Sequence, residues 1–267
     1  MELTRLAGGP SVSRIGLGCE PLGGTDWGDV DERAAMGAVQ AALETGVSLF
    51  DTADVYGLGL SEERLSQALG ARRHDAFIVT KFGLRWSIPP GGGRAEVSRD
   101  ASPQRVVEAL EGSLRRLRID AVPLFLLHWP DPATPLEATM EALARCVSTG
   151  KVRGVGLSNF GSDGIQKAHA LLPLTAVECE YSLVKREAET EVLPLCRRLG
   201  IGVLAYGPLA QGLLTGKYGA GSSFGRRDRR SRLPHFESAA VARSGPLLEG
   251  LRSAAERLGK TPAQVAL

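Results

Sequence analysis

Val47-Ser48-Leu49-Phe50-Asp51-Thr52-Ala53-Asp54-Val55-Tyr56-Gly57 decides how this chain is read. Val47 to Phe50 is a short apolar run of the kind that forms a buried strand, and acidic and phenolic groups follow it at once. Just before it, Asp31 to Thr45 carries Ala35, Ala38, Val39, Ala42 and Leu43 along one helical stripe, with Asp31 placed as N-cap and Gly46 at the junction. A helix that feeds a buried strand through a glycine, with chemistry waiting at the strand's end, is one unit of an alternating β/α fold.

The unit recurs. Ser102-Pro103 opens a helix with Val106, Val107, Leu110, Leu114 and Leu117 on one face, and Val122 to Leu127 follows as a strand. Thr134-Pro135-Leu136-Glu137 has the look of a capping box for a helix through Met140, Leu143 and Val147 that stops at Gly150, and Val152 to Leu157 is the next strand. With Ile15 to Gly18, Phe77 to Thr80, Thr175 to Val177 and Ile201 to Ala205, seven strands alternate with helices, Gly200 marking the last junction. Strict alternation forces parallel pairing through right-handed crossovers. The expected fold class is therefore α/β, a parallel (β/α)8 TIM-type barrel in one domain over residues 1–267, lacking its last strand and C-terminal helices. Thr261 to Leu267 reads as the start of a helix, and the open edge of the seventh strand would suit a second subunit, hence a homo-oligomer.

A doubly wound sheet would need Gly-x-Gly-x-x-Gly after its first strand. Gly57-Leu58-Gly59 lacks the third glycine, and Gly91-Gly92-Gly93 sits in a long polar loop that reads as a hinge or lid. The charge balance, 32 basic against 30 acidic residues for a net +2, gives no reason to expect a nucleic-acid or membrane partner. A small molecule is the expected partner. Cys19, Cys146, Cys179 and Cys196 form no Cys-x-x-Cys pair, so no zinc knuckle or redox dithiol is indicated, and reduced, mostly buried thiols in the cytoplasm are expected. The opening residues lack a signal-peptide core, and no apolar run is long enough to cross a bilayer. The arginine-rich stretch Arg226 to Arg232 reads as a solvated loop.

Barrel active sites sit at the carboxyl ends of the strands. Asp51 and Tyr56 follow the second strand, Lys81 ends the third and His128 ends the fourth, so a carboxylate, a phenol, an ammonium and an imidazole share one rim. Hydride addition to a carbonyl builds negative charge on oxygen, and a proton donor removes it as it forms. Tyr56 is the candidate donor. A free phenol has a pKa of about 10, and a cation roughly 4 Å away contributes on the order of 4 kcal/mol at an effective dielectric of about 20, so Lys81 is expected to acidify it. Asp51 would hold Lys81 charged, and His128 would orient the carbonyl through a ring N–H. Trp27, Trp86 and Trp129 follow the first, third and fourth strands and would wall a flat apolar or sugar-like substrate. Two other readings stand beside carbonyl reduction: a non-catalytic binding or regulatory barrel, and a Schiff-base aldolase working through Lys81.

These segments resemble the aldo-keto reductase superfamily of nicotinamide-dependent (β/α)8 barrels from about Leu6 onward. The resemblance implies an NAD(P)H-dependent oxidoreductase with Asp51, Tyr56, Lys81 and His128 as its tetrad and Tyr56 as general acid. It also implies that Ser158 and Asn159, within Gly156-Leu157-Ser158-Asn159-Phe160, hold the nicotinamide carboxamide, and that Tyr206 stacks on the ring. Pro208, Leu209, Gln211, Gly212, Leu213 and Lys217 fall in the segment that wraps the pyrophosphate. NADP is the commoner cofactor of the family, with NAD the alternative. Where the family usually carries glutamine, three residues before Tyr181-Ser182-Leu183, this chain has Glu178. If ionised, Glu178 would favour the oxidised, cationic ring; otherwise it is itself protonated, or turns toward an arginine and leaves the cofactor alone.

Overall fold

The computed structural model describes residues 1–7, 9–90, 95–219 and 221–267, so the Gly91-Gly92-Gly93 loop lies outside the described residues. The chain begins with strands β1 (Leu3–Arg5) and β2 (Ser11–Ser13), paired antiparallel. Next come β3 (Leu17–Gly18), α1 (Glu32–Glu44), β4 (Leu49–Asp51), α2 (Leu60–Leu69) and β5 (Phe77–Phe82). A second antiparallel hairpin, β6 (Leu84–Ser87) with β7 (Glu96–Arg99), leads into α3 (Pro103–Leu117), β8 (Leu124–Leu127), α4 (Leu136–Ser148) and β9 (Val155–Ser158). Then α5 (Ser162–Leu171), β10 (Ala176–Glu180), α6 (Val192–Leu199) and β11 (Gly202–Tyr206) complete the alternation. Helices α7 (Ser238–Arg243), α8 (Gly245–Leu258) and α9 (Pro262–Ala266) end the chain.

Seven strands form one parallel sheet in the order β11-β10-β9-β8-β5-β4-β3, the nearly closed barrel that the alternation predicts. The local signals behind it are in place. Asp31 accepts from the Ala34 N–H at 3.0 Å to cap α1, and Ser102 accepts from the Arg105 N–H at 3.3 Å to cap α3. Thr261 and Gln264 form a full capping box at the start of α9. The expected box at Thr134 does not form: Thr134 Oγ1 donates instead to Asp131 Oδ2 at 2.7 Å, and Pro135 takes the N-cap position. Asp131 also accepts from the Ala101 and Ala133 N–H groups, so it draws the hydroxyl into a loop network and away from the helix end.

Side chains alternate across the strands, and this sorts the core into two layers. Phe50, Ile78, Phe82, Phe125, Leu127, Val155, Leu157 and Val177 pack outward under the helices. Leu49, Phe77, Val79, Leu124, Leu126 and Ala176 fill the interior, with Leu6 and Val12 from the first hairpin closing one end. Ala210, Leu213 and Leu214 build a smaller core with Val241, Leu248 and Leu251 of α7 and α8.

The arginine stretch is only in part a solvated loop: Arg226, Arg227 and Arg232 are exposed, while Arg229 and Arg230 are packed. Arg229 binds Glu20 bidentately at 2.7 and 2.9 Å, and Arg232 reaches Asp26 at 3.0 Å. Arg230 grips Asp228 and lies over the rings of Trp27, Tyr218 and Phe224 at 5.6, 5.2 and 4.7 Å. Carboxylates and aromatic faces supplied by distant segments hold guanidiniums that a sequence shows only as a run of like charge. The backbone follows: the Arg229 N–H donates to Asp26 O at 2.8 Å, tying the segment after β11 to the loop after β3.

Candidate active site

Period two explains why the reactive groups meet. Leu49, Val79, Leu126 and Ala176 point into the barrel, so Asp51, Lys81, His128 and Glu178, each two residues further on, occupy the next inward level toward the rim. Lys81 is completely buried there. Its Nζ donates to Asp51 Oδ1 and Oδ2 at 2.6 and 2.7 Å and to the Thr52 carbonyl at 3.1 Å. Burial alone would lower the ammonium, but Asp51, then Glu178 and Tyr56, outweigh it and hold Lys81 well above the ordinary lysine range. A Schiff-base lysine needs a free amine, so this pairing speaks against the aldolase reading.

The ring of Tyr56 lies 5.3 Å from Lys81 Nζ and 5.7 Å from the imidazole of His128, at 83° to it. Its loop is pinned from two sides. The Asp54 N–H donates to the Lys81 carbonyl at 3.2 Å, and Gly57, at φ +59°, packs its backbone against Gly23, where any Cβ would meet the Gly23 carbonyl oxygen at 2.2 Å. No residue with a side chain fits that approach.

The expected acidification of Tyr56 does not prevail. Lys81 does pull the phenol down, but burial pushes it up by more, and Asp51, Glu178 and Glu20 add to the rise. The phenol therefore lies above the ordinary tyrosine range. His128 moves the other way, held well below the usual imidazole range by burial and by the Lys81 charge. It is a neutral imidazole at neutral pH; the His128 backbone N–H donates to the Phe82 carbonyl at 2.8 Å and fixes the end of β8, while the ring Nδ1 is buried without a partner.

Glu178 turns toward neither an arginine nor the surface. Its Oε2 lies 3.4 Å from Lys81 Nζ, at an angle that makes no hydrogen bond. In the sheet it is in register with Ser158 of β9 and Leu204 of β11. Asn159, just past β9, takes a left-handed φ of +64° and so turns its amide inward. Its Nδ2 donates to the His128 carbonyl and to Ser158 Oγ at 3.0 Å each, and its Oδ1 accepts from the Tyr206 hydroxyl at 2.8 Å. Ser158, Asn159, Glu178 and Tyr206 are thus brought together beside the tetrad.

The segment after β11 is more divided. Gln211 and Gly212 have φ of +51° and +103° in a tight turn, and Gln211 Oε1 is buried without a partner. Pro208 and Leu209 are partly exposed at the strand's end, Leu213 is wholly buried against α7 and α8, and Lys217 is exposed. Among the tryptophans, Trp129 stacks on His128 at 6.4 Å and on Arg99 at 5.5 Å, while Trp86 of β6 lies under Arg105 at 5.2 Å. Trp27 packs against Arg229 and Arg230 and joins the two rim loops. Two surface clefts, one of about 660 Å³ lined by Glu63, Gln67, Arg115, Arg116 and Arg118 and one of about 470 Å³ around Tyr181, contain none of the tetrad.

These inward groups stand at the strand ends of a parallel barrel, and a sequence model of the Aldo/keto reductase family matches residues 14–267. The chain belongs to the aldo/keto reductase family. Aldo-keto reductase YhdN of Bacillus subtilis (strain 168) is 39% identical over 240 residues, 89% of this chain and 71% of that protein. Probable aldo-keto reductase 1 of Glycine max is 35% identical over 260 residues, 97% of this chain and 73% of that protein. Among solved structures, the glycerol dehydrogenase AKR11B4 from Gluconobacter oxydans superposes with a TM-score of 0.88 at 34% identity, covering 97% of this chain and 80% of that one. The holo form of aldo-keto reductase AKR11C1 from Bacillus halodurans gives 0.74 at 30% identity, covering 85% and 73%. Family membership makes this chain an oxidoreductase.

One link in this aldo/keto reductase has no sequence signal. Asp54 is fully buried and bound by Arg105, whose Nη2 also donates to the Leu84 carbonyl at 2.8 Å. Burial pushes the Asp54 carboxyl up to about 8 against the pull of Arg105. The pair joins the Tyr56 loop to the β6–β7 hairpin across 51 residues of chain. Arg105→Met removes a hydrogen-bond donor from an Asp54 that is mostly protonated at neutral pH, an expected loss of about 1–3 kcal/mol in urea unfolding that grows as the pH rises above about 8, and adding Asp54→Asn abolishes that growth. A single variant that unfolds at the parental midpoint would show that the pair does not hold the loop.

Proposed function

We propose that this chain reduces the carbonyl of an aldehyde or ketone, and in reverse oxidises the corresponding alcohol, with NADP(H) as first cofactor and NAD(H) as the alternative. The observation that carries the reading is that Asp51, Lys81 and His128 meet at one inward level and the loop after β4 brings the Tyr56 ring beside Lys81 and His128. The orphaned polar atoms of Gln211, Glu178 and His128, all near the strand ends, fit a site that takes a polar ligand. Ser158 and Asn159 would hold the carboxamide beside Glu178, Tyr206 would face the ring, and Pro208, Leu209, Gln211, Gly212, Leu213 and Lys217 would line the pyrophosphate. Bound reduced nicotinamide supplies the hydride.

The chain's own residues manage the charge that results. Tyr56 is protonated at neutral pH, the state a proton donor must be in, and it gives its proton to an oxygen that becomes far more basic as the carbonyl is reduced. The phenolate left behind faces Lys81, which is fully charged and already oriented by Asp51, so no reorganisation is needed when the charge appears. His128, neutral, can donate a ring N–H to the same oxygen without adding a second cation. Trp86 and Trp129 wall the approach, and Trp27 shapes it from the loop it anchors. The four cysteines are buried and unpaired, which suits a reducing compartment, and we place the reaction in the cytoplasm.

Titration with NADPH and with NADH, followed by a panel of aldehydes and ketones, tests this directly. Glycerol belongs in the oxidative panel because a structural neighbour is a glycerol dehydrogenase. Binding of at least one cofactor and its substrate-dependent oxidation are expected; no binding of either would overturn the reading.

A further inference from the structure

Lys81 is shared between two acids, and the mechanism uses only one. Asp51 on β4 holds it at 2.6 and 2.7 Å, while Glu178, four strands away in sheet order on β10, reaches it across the barrel at 3.4 Å. Glu178 is buried, and its Oε2 makes no hydrogen bond. At the ammonium Glu178 acts mainly through its charge, and it also lies close enough to Asp51 for a proton to be shared between the two acids. Asp51 already balances Lys81, so an ionised Glu178 leaves the cluster with a net negative charge at the level where Ser158 and Asn159 stand.

We propose that Glu178 sets the charge of this cluster and thereby makes the site prefer the oxidised, cationic form of its nicotinamide cofactor over the reduced, neutral form. This rests on the cofactor site proposed above. The two cofactor forms differ by one positive charge on the ring, so every other contact cancels in the ratio of their affinities. An ionised carboxylate lining the level that receives the cationic ring favours the oxidised form by Coulomb attraction, at an effective dielectric of about 20, by roughly tenfold. The groups facing Glu178 are Asp51 on β4, Lys81 on β5, Tyr56 in the loop after β4, Cys179 beside it and Tyr206 on β11. Of these only Lys81 is a cation. Burial, and then Asp51, push the Glu178 carboxyl up to about 8, against the pull of Lys81. Its charge is therefore absent well below that pH and present well above it. Tyr56 and Tyr206 are both raised by burial and stay neutral over the same interval.

The test is equilibrium binding of NADP+ and NADPH to the parent and to Glu178→Gln at pH 6.5 and 9.5, by calorimetry for the oxidised form and by fluorescence for the reduced form. In the parent, the preference for NADP+ over NADPH should rise about tenfold between the two pH values. In Glu178→Gln, which keeps the shape and loses the charge, the preference should not change with pH. Equal ratios in parent and variant at both pH values would overturn the inference while leaving the cofactor site intact. Should the parent bind neither form of NADP, the same series is run with NAD+ and NADH, and failure to bind any of the four would remove the proposed function, and this inference with it. The parental pH series decides the matter even if the variant does not fold.

Discussion

Tyr56→Phe should bind reduced cofactor as the parent does and lose about 10²–10⁴-fold in the rate of carbonyl reduction, the usual contribution of a placed proton donor. The expectation follows from what the substitution leaves behind. The ring stays beside His128 and Lys81, 5.7 Å and 5.3 Å from its centre, because removing the hydroxyl leaves the ring itself unchanged. Gly57 and Gly23 still lock the loop. Only the hydroxyl and its proton are gone. Steady-state rates together with cofactor dissociation constants check the result. A loss of cofactor affinity equal to the loss of rate would mean that Tyr56 binds and does not donate.

Lys81→Met should be worse, because it removes the cation and strands its partners. Glu178, already pushed up to about 8, would rise further, and Asp51 would be left without the cation that it binds. Breaking a buried pair from one side costs about 3–5 kcal/mol, and the partial exposure of Asp51 places the expected loss toward the lower end. Turnover should fall at least as far as in Tyr56→Phe, since the phenolate would form with no cation beside it. Urea unfolding and initial rates check the two parts separately. A variant as stable as the parent, with rates reduced by less than tenfold, would show that the charge of Lys81 serves neither fold nor chemistry.

Much of this was legible in the residues. All seven barrel strands lie where apolar runs predict them, and the Asp51–Lys81 pair follows from two strand ends at the same level. What escaped reading depends on neighbours that a chain does not list in order. Lys81 was expected to govern Tyr56, but burial, and after it the charges of Asp51 and Glu178, reverse the net direction. Alternation places Glu178 on the inward face with Ala176, yet nothing in Val177-Glu178-Cys179 says that Lys81 lies opposite. The Arg229 and Arg230 contacts depend on Glu20, Trp27 and Asp228 arriving together, and Arg105 finds Asp54 only once α3 packs beside α2. The β6–β7 hairpin went unread because its strands alternate weakly around a glycine-rich link.

The account rests on Tyr56 giving its proton to the substrate oxygen, and a single-turnover experiment addresses that step alone. Parent and Tyr56→Phe are saturated with reduced cofactor, mixed with an aldehyde the parent accepts, and followed by the loss of cofactor absorbance. The parent should consume one equivalent of cofactor rapidly, and the variant should be slower by about 10²-fold or more at equal cofactor occupancy. Equal single-turnover rates in the two proteins would contradict the assignment.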